Sequence, residues 1–130
     1  MHHLDTDVVI ALLRGNRTVA ERLKAVTPAA EISSLVLAEL IYGALAAQDA
    51  VQARRRLDRF LPSLGVVPFN SAEAEAYGRN RLALRQKGRP IGDADTWIAA
   101  VAVARGATLV THNTRHFEQI HGLKIEDWLE

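Results

Sequence analysis

The longest apolar pattern in the chain is the segment Gly92–Ala104, which begins with Asp93 and Asp95 and is otherwise almost entirely apolar. Because apolar residues surround its axis, this predicted helix should be buried on nearly all sides. A buried helix that begins with two carboxylates is costly unless positive charge lies nearby. The N-terminus of the helix carries partial positive charge, and one acidic side chain is enough to interact with it. The second acid therefore indicates a further role at this end of the helix.

Shorter apolar runs predict that strands and helices alternate along the rest of the chain. Strands are predicted at Met1–Leu4, Glu31–Ser33, Gly65–Phe69 and Ala107–Val110, with a last short element at Leu123–Ile125. Helices are predicted at Asp7–Leu13, Thr18–Val26, Leu35–Ala47, Ala50–Leu61 and Ser71–Gln86, and a loop at Lys87–Gly92. This alternation predicts a single α/β domain over residues 1–130, in which a short, mostly parallel central sheet lies between two layers of helices.

Polar residues just before the helical stretches predict where the helices begin. Ser34 and Ser71 precede two of them, and a serine side chain at this position accepts a backbone N–H. Asp7 and Asp93 stand at the start of the first helix and of the long apolar helix. We therefore expect Asp7 and Asp93 to act as caps, which leaves Asp95 free for another role.

The composition excludes several classes of protein. The chain has 130 residues, of which 48% are hydrophobic, and it contains no cysteine. Neither disulfides nor thiolate metal sites are therefore available. No apolar run reaches the ~18 residues of a membrane span, and the chain does not open with a signal-peptide pattern. These features predict a cytoplasmic protein without a membrane partner.

Positive charge is clustered, although the net charge is only +1. Between Gly78 and Gly92 the charged residues are all basic, namely Arg79, Arg81, Arg85, Lys87 and Arg89. Such a cluster either forms a solvated helix face or contacts a phosphate backbone. Both interpretations stay open for Arg79, Arg81 and Arg85, which are the candidate nucleic-acid contacts of the chain.

Acidic residues are predicted to meet at one edge of the sheet. Asp5 follows the first strand, Glu39 lies in the helix after the second, and Asp95 begins the helix that leads into the late strand. Asn113 follows that late strand. In parallel sheets ligands bind at the carboxyl ends of the strands, so these side chains can reach the same edge. Carboxylates placed together share a cation, and oxygen donors favour Mg²⁺ or Mn²⁺, which indicates metal-dependent phosphoryl chemistry.

Four segments resemble, in order and spacing, the motifs of PIN-domain ribonucleases, and more narrowly those of the VapC toxins of bacterial toxin–antitoxin pairs. They are Leu4–Asp7, Ala38–Gly43, Asp95–Ala100 and Val110–Phe117. Three further segments are similar to the VapC branch, namely Arg89–Gly92, Gly122–Leu123 and Glu126–Trp128. The resemblance covers essentially the whole chain and implies a PIN-like α/β/α fold.

The resemblance also implies an activity and a set of site residues. The implied activity is that of an endoribonuclease that uses Mg²⁺ or Mn²⁺, forms a homodimer, and is held inactive by a cognate antitoxin in a complex or a larger assembly. Asp5 and Asp95 would be catalytic residues and the main metal ligands. Glu39 would complete the acidic cluster by ligation or by positioning water. Asn113, with Thr111 as an accessory residue, would orient Asp5 or the water by hydrogen bonds.

Two positions depart from the family pattern. The family often has asparagine where this chain has Asp7. Many members have a fourth acid three residues after the asparagine of the last motif, where this chain has His116. A histidine there can hydrogen-bond a phosphate or a water, but it leaves a second metal site without its acid. Asp93 is the candidate for replacing the missing charge.

Three other interpretations remain open from the residues alone. A haloacid-dehalogenase-like phosphatase also places an aspartate such as Asp5 after a strand, but it needs a downstream lysine and usually a cap domain. A phospho-acceptor receiver domain needs an aspartate at the end of the central strand, whereas the strand from Gly65 ends in Pro68 and Phe69. A PIN scaffold that binds RNA or protein without cutting is the third interpretation, and His116 favours it.

Overall fold

A central sheet organises the computed structural model of the protein, which describes residues 1–129. Within these residues five strands form one sheet, namely β1 (His2–Leu4), β2 (Ala30–Ser33), β3 (Gly65–Val67), β4 (Thr108–Val110) and β5 (Lys124–Glu126). Their order in space is β3-β2-β1-β4-β5, and all four neighbouring pairs run parallel. The sheet is therefore entirely parallel in the described part of the chain, where the sequence predicted a mostly parallel one.

Helices cover both faces of this sheet. The described residues form α1 (Thr6–Leu13), α2 (Arg17–Val26), α3 (Ser34–Leu45), α4 (Ala50–Phe60), α5 (Ser71–Gln86), α6 (Asp93–Ala104) and α7 (Thr114–Phe117). Parallel β–α–β connections are right-handed, so the reversal of strand order after β3 puts α1 to α4 on one face and α5 to α7 on the other. The three-layer α/β/α fold is confirmed. None of the helices up to residue 129 is long and apolar enough to cross a membrane.

The strand order creates a crevice at the carboxyl ends of β1 and β4. From β1 the chain moves first toward β2 and β3, and it then returns to place β4 on the other side of β1. In open parallel sheets this reversal is the point where ligands bind. Asp5 directly follows β1, and Thr111 directly follows β4, so both lie at this crevice.

The apolar helix α6 is a main part of the core. Its residues from Ile98 to Ala102 are all buried, and Ile98, Ala99 and Ala102 belong to the hydrophobic core that also includes strand residues. The two ends of the helix, at Asp93 and Ala104, are exposed. The predicted burial of this helix is confirmed over its middle turns, which hold its first turn rigidly at the crevice.

The predicted helix caps are wrong by one residue at two helices. Ser33, not Ser34, caps α3, because its side-chain oxygen accepts the N–H of Val36 at 3.0 Å. The helix α5 begins after Asn70, not with Ser71 as the cap, and the carboxylate of Glu73 accepts the Asn70 N–H at 2.9 Å. A cap residue has extended backbone angles, which the residue type alone does not reveal.

The acidic caps predicted for α1 and α6 are also wrong. Asp5 caps α1, and Asp7 lies inside the first turn of that helix. Gly92 is the N-cap of α6, with a φ of 93° that favours glycine, and it has no side chain that could accept the free N–H groups of the first turn. Asp93 is then the first helical residue, where its charge still interacts favourably with the helix dipole.

Two short elements were not predicted. The helix α7 has only four residues, Thr114–Phe117, and a single 3₁₀ turn spans Leu61–Ser63 after α4. Neither is long enough to show a periodic apolar pattern. The helix α7 matters most, because it carries His116 to the crevice.

Candidate active site

Asp5 is the most deeply buried acid at the crevice. Its side chain is only 6% exposed, because it caps α1 immediately after the buried strand β1. Its Oδ1 accepts the backbone N–H of Thr6 at 2.8 Å, and its Oδ2 accepts the hydroxyl of Thr111 at 2.8 Å. Both oxygens are therefore oriented by donors from two different strand ends.

The charge of Asp5 is disfavoured in spite of these donors. Burial, together with smaller contributions from the nearby charges of Asp7 and Asp95, raises the pKa of Asp5 from 3.8 to about 7 in spite of the two hydrogen bonds. Burial likewise raises the pKa of Asp7, whose Oδ2 accepts the His112 N–H at 3.0 Å. Several carboxylates thus lie close together at this edge of the sheet, and each makes ionisation of the others less favourable. Such an arrangement is typical of a cation site.

Asp95 meets the other half of the site. It lies in the first turn of α6, and its Oδ2 is 2.8 Å from the Nδ1 of His116 on α7. The same ring nitrogen is 2.8 Å from the side-chain nitrogen of Asn113. Nδ1 can donate a proton to Asp95 or accept one from Asn113, but it cannot do both at once. The His116 tautomer therefore decides which of these two residues the ring engages.

Glu39 reaches the site through Thr6. Glu39 is exposed on α3, and its Oε1 accepts the hydroxyl of Thr6 at 3.0 Å. Since the backbone N–H of Thr6 also contacts Asp5, this threonine links the two acids. Glu39 is therefore at the rim of the crevice, close to the edge of the sheet where the sequence predicted it.

Thr111 connects the loop after β4 to Asp5. Its side chain is fully buried, and its hydroxyl both donates to Asp5 and accepts the backbone N–H of Asn113 at 3.0 Å. Asn113 itself is exposed, with its amide turned to His116. Thr111 thus orients Asp5 directly, whereas the side-chain contact of Asn113 is on the Asp95 side of the site.

The donor set fits a hard divalent cation bound by few protein ligands. Among residues 1–129, no three acidic or histidine side chains are arranged to hold one ion together. Mg²⁺ usually keeps several waters and needs only one or two carboxylates. Asp5 and Asp95, whose charges interact, are two carboxylates that fit this requirement, and a cation beside them would offset the cost of ionising the buried Asp5.

The remaining predicted residues lie outside this cluster. Asp93 is exposed and lines a cavity of about 200 Å³ together with Arg81, Arg85 and Ile91. No hydrogen bond or ion pair joins it to His116 in the described part of the chain. Its role as a replacement for the missing fourth acid therefore stays a prediction.

The candidate arginines of α5 have different surroundings. Arg79 forms an exposed ion pair with Glu75 at 2.9 Å, one helical turn away. Arg81 donates to the hydroxyl of Tyr77 at 3.1 Å. Arg81 and Arg85, which are one turn apart, both line the cavity at the start of α6. Two of the three arginines therefore border the helix that carries Asp95.

Sequence reasoning missed two residues that contact the acids. Thr6 stands inside the Leu4–Asp7 motif, but no role was predicted for it, although a threonine between two acids is a signal for a hydroxyl donor. No role was predicted for His112 either. Its backbone N–H nevertheless holds Asp7, and its ring contacts Asp127.

Residues 3–123 match the family profile described as the PIN domain. The chain belongs to the PIN domain family. This PIN domain is 37% identical over 126 residues to the tRNA(fMet)-specific endonuclease VapC of Shigella flexneri, covering 96% of each chain. The resemblance inferred from the motifs is thereby confirmed, and the phosphatase and receiver interpretations are not favoured.

Solved structures of relatives share the whole fold. The DNA-bound VapBC of Salmonella typhimurium superposes with a TM-score of 0.94 at 36% identity, covering 98% of this PIN domain and 97% of the relative's chain. VapBC-5 of Mycobacterium tuberculosis, a member of the VapBC family of toxin–antitoxin systems, superposes with a TM-score of 0.73 at 28% identity, covering 97% and 95%. The VapC-type fold therefore extends over nearly the entire chain.

Proposed function

We propose that the protein is a metal-dependent endoribonuclease and the toxin of a toxin–antitoxin pair. The observation that carries the proposal is the buried Asp5, whose pKa is about 7, next to the charge of Asp95 at the reversal point of a parallel sheet. A solvated surface acid would not have this environment. The names of the relatives, which are ribonucleases and toxin–antitoxin complexes, support the same activity and partner class.

Asp5 and Asp95 are the proposed ligands of a divalent ion, Mg²⁺ or Mn²⁺. When bound, such an ion supplies positive charge for the phosphodiester and lowers the pKa of a water. The protein's own part is orientation: Thr6 and Thr111 fix the two oxygens of Asp5, and the rigid α6 fixes Asp95. We infer that this fixed geometry, more than the number of acids, defines the site.

Glu39 and the polar residues beyond the two ligands have proposed roles in proton handling and orientation. Glu39 is exposed and already accepts a hydrogen bond from Thr6, so it is placed to accept a proton from an attacking water. His116 and Asn113, which share one hydrogen bond, border Asp95 and would contact the RNA phosphate or the leaving oxygen. In this proposal the histidine serves as a hydrogen-bonding group in place of a fourth acid.

The antitoxin is proposed to bind at an apolar cleft beside Glu39. The cleft is formed by α1, α3 and α4 and has a volume of about 270 Å³, with a lining that includes Ile10, Leu13, Leu40 and Leu57. Arg14 and Arg56 also line it, and Tyr42 and Leu45 of α3 are exposed large hydrophobic residues. A partner with apolar and acidic side chains would cover this surface, in keeping with the complexes formed by the relatives.

Incubation of the purified protein with defined RNAs tests the proposed activity. The name of the Shigella relative makes initiator tRNA the first substrate to try, with other tRNAs and unstructured RNAs as comparisons. We expect cleavage at discrete positions in Mg²⁺ or Mn²⁺, and loss of cleavage on chelation. If the metal-loaded protein leaves every RNA intact while it binds a cognate partner tightly, the scaffold interpretation is correct instead.

A further inference from the structure

The C-terminal segment Glu126–Trp128, called the tail below, is anchored firmly in the fold. Trp128 is 1% exposed, its ring lies 5.9 Å from the His2 ring, and its indole N–H donates to Glu126 at 3.0 Å. The Oδ1 of Asp127 accepts the backbone N–H of Leu129 at 2.9 Å. This contact helps to orient the Asp127 carboxylate.

The tail contacts the active-site loop, residues 111–113, which leads into α7, in two ways. The backbone N–H of Thr111 donates to the Glu126 carbonyl at 2.9 Å, which extends the pairing of β4 and β5. The Oδ2 of Asp127 lies 3.0 Å from the Nδ1 of His112. The backbone contact fixes the start of the loop, and the side-chain contact fixes its second residue.

The fixed residue His112 in turn holds an acid next to Asp5. The backbone N–H of His112 donates to the Oδ2 of Asp7 at 3.0 Å. The residue before His112, Thr111, donates to Asp5. The residue after it, Asn113, contacts His116 beside Asp95. A displacement of His112 would therefore reach both halves of the site.

We propose that Asp127 is a positioning residue of the nuclease, which holds the active-site loop through His112 and so sets the geometry at Asp5, Asn113 and His116. The inference rests on the proposed function for its kinetic consequence, but the ordering of the loop can be measured without activity. Glu126–Trp128 is one of the segments that resemble the VapC branch, and the sequence predicted no function for it.

The energetics of the pair favour a positioning role over a stabilising one. The side chain of His112 is 57% exposed, whereas that of Asp127 is 12% exposed. A half-exposed pair of this kind contributes little to global stability because solvent screens it. Outer contacts that orient the ligands of a metal site, in contrast, typically change activity by about 10–100-fold when they are removed.

Steady-state cleavage by Asp127→Ala and Asp127→Asn tests the inference. We expect kcat of Asp127→Ala to fall by about tenfold or more while KM for RNA stays within about twofold, because the loop acts on geometry and not on RNA affinity. Asp127→Asn keeps an acceptor oxygen toward His112 and should recover most of kcat. His112→Ala, at an exposed position, should reproduce the loss, and the double variant should lose no more than either single variant.

Hydrogen exchange of the backbone amides of residues 111–113 supplies the readout without activity. In Asp127→Ala these amides should exchange faster, while those of α6 stay unchanged. Asp58→Ala is the matched control, because it removes an exposed acid paired with Arg54 on α4, away from the loop. Unchanged kcat and unchanged exchange in His112→Ala and Asp127→Ala, or equal losses in the control, would overturn the inference. If the wild-type protein had no ribonuclease activity, only the proposed function would be refuted. Hydrogen exchange would still show whether Asp127 orders the loop.

Discussion

At the scale of single residues, Asp5 carries the electrostatic cost of the site. The structure keeps this carboxylate buried at the end of β1, where water is replaced by only two hydrogen-bond donors, from Thr6 and Thr111. An ionised acid in such a place opposes folding unless a cation joins it. The buried Asp5 thus lowers the stability of the metal-free protein, but it provides a carboxylate at which a cation can bind.

This cost predicts a specific dependence of stability on pH in the metal-free protein. Between pH 3.8 and about 7 the folded state retains a proton on Asp5 that the unfolded state releases, so unfolding becomes easier as the pH rises through this window. Above pH 7 the cost is fully present, and it corresponds to at most about 4 kcal/mol.

Chemical denaturation of Asp5→Asn and the wild type, both in chelator, measures this cost. The asparagine is neutral and can still cap α1, so the variant should gain stability over the wild type progressively from pH 4 to pH 8. Asp58→Asn, which changes an exposed acid, is the control. A stability difference that does not vary with pH would show that the pKa of Asp5 in the folded protein is not raised to about 7.

The sequence located the acids of the site but not their contacts. Asp5 and Thr111 could be predicted to be neighbours, because each follows a strand at the same edge of a parallel sheet. The caps could not be assigned correctly, since they depend on backbone angles at Asp5 and Gly92 that residue type does not fix. The pairing of His116 with Asp95 required the short α7, which has no periodic pattern.

At the scale of secondary-structure elements, α6 and α5 present the site to its substrate. The buried turns of α6 fix Asp95, and α5 packs against α6 while its outer face carries arginines. The mixture of apolar and charged residues in α5 and the long apolar run in α6 were sufficient to predict both helices, because each segment is long enough to show its pattern.

The arginines of α5 predict a salt-dependent contribution to RNA binding. Replacing Arg79, Arg81 and Arg85 together by glutamine should weaken binding and reduce the slope of log K against log salt by about 2, from about 0.7 for each lost phosphate contact on a single strand. Binding to a catalytically inactive Asp95→Asn background, measured over a range of salt, gives this slope directly.

The matched control removes charge from the opposite edge of the molecule. Arg22 and Lys24 are exposed on α2 near the point where that helix leads into the start of β2, away from the crevice. Arg22→Gln with Lys24→Gln should leave the slope nearly unchanged. If the α5 variant keeps the wild-type slope as well, its arginines are only a solvated helix face.

At the scale of the whole molecule, the order of strands was the feature that the sequence could predict only in outline. The alternation of strands and helices predicted three layers, and the structure adds that the sheet reverses its order beside β1. The cleft between α1, α3 and α4 was not predicted, because it depends on how helices distant in the sequence pack together.

The position of the cleft predicts which substitution weakens the binding of a protein partner. Ile10 lines it and is 37% exposed, so Ile10→Glu should place a charge in the proposed antitoxin interface and weaken binding by about tenfold or more. Titration calorimetry with the cognate antitoxin measures this, and Leu82→Glu, at an apolar residue of α5 that is 47% exposed, is the control. Equal affinity of the Ile10 variant and the wild type would place the interface elsewhere.

The central claim is that the buried Asp5 and the partly exposed Asp95 at the crevice perform metal-dependent RNA cleavage. Its most direct test is the single-turnover cleavage rate of a susceptible RNA at pH 8 in saturating Mg²⁺, compared between the wild type and folded Asp95→Asn. The account predicts that the wild type cuts and that the variant loses at least about a hundredfold in rate, while it binds the RNA as tightly. Cleavage at the wild-type rate by the variant, or in the presence of chelator, would contradict the account.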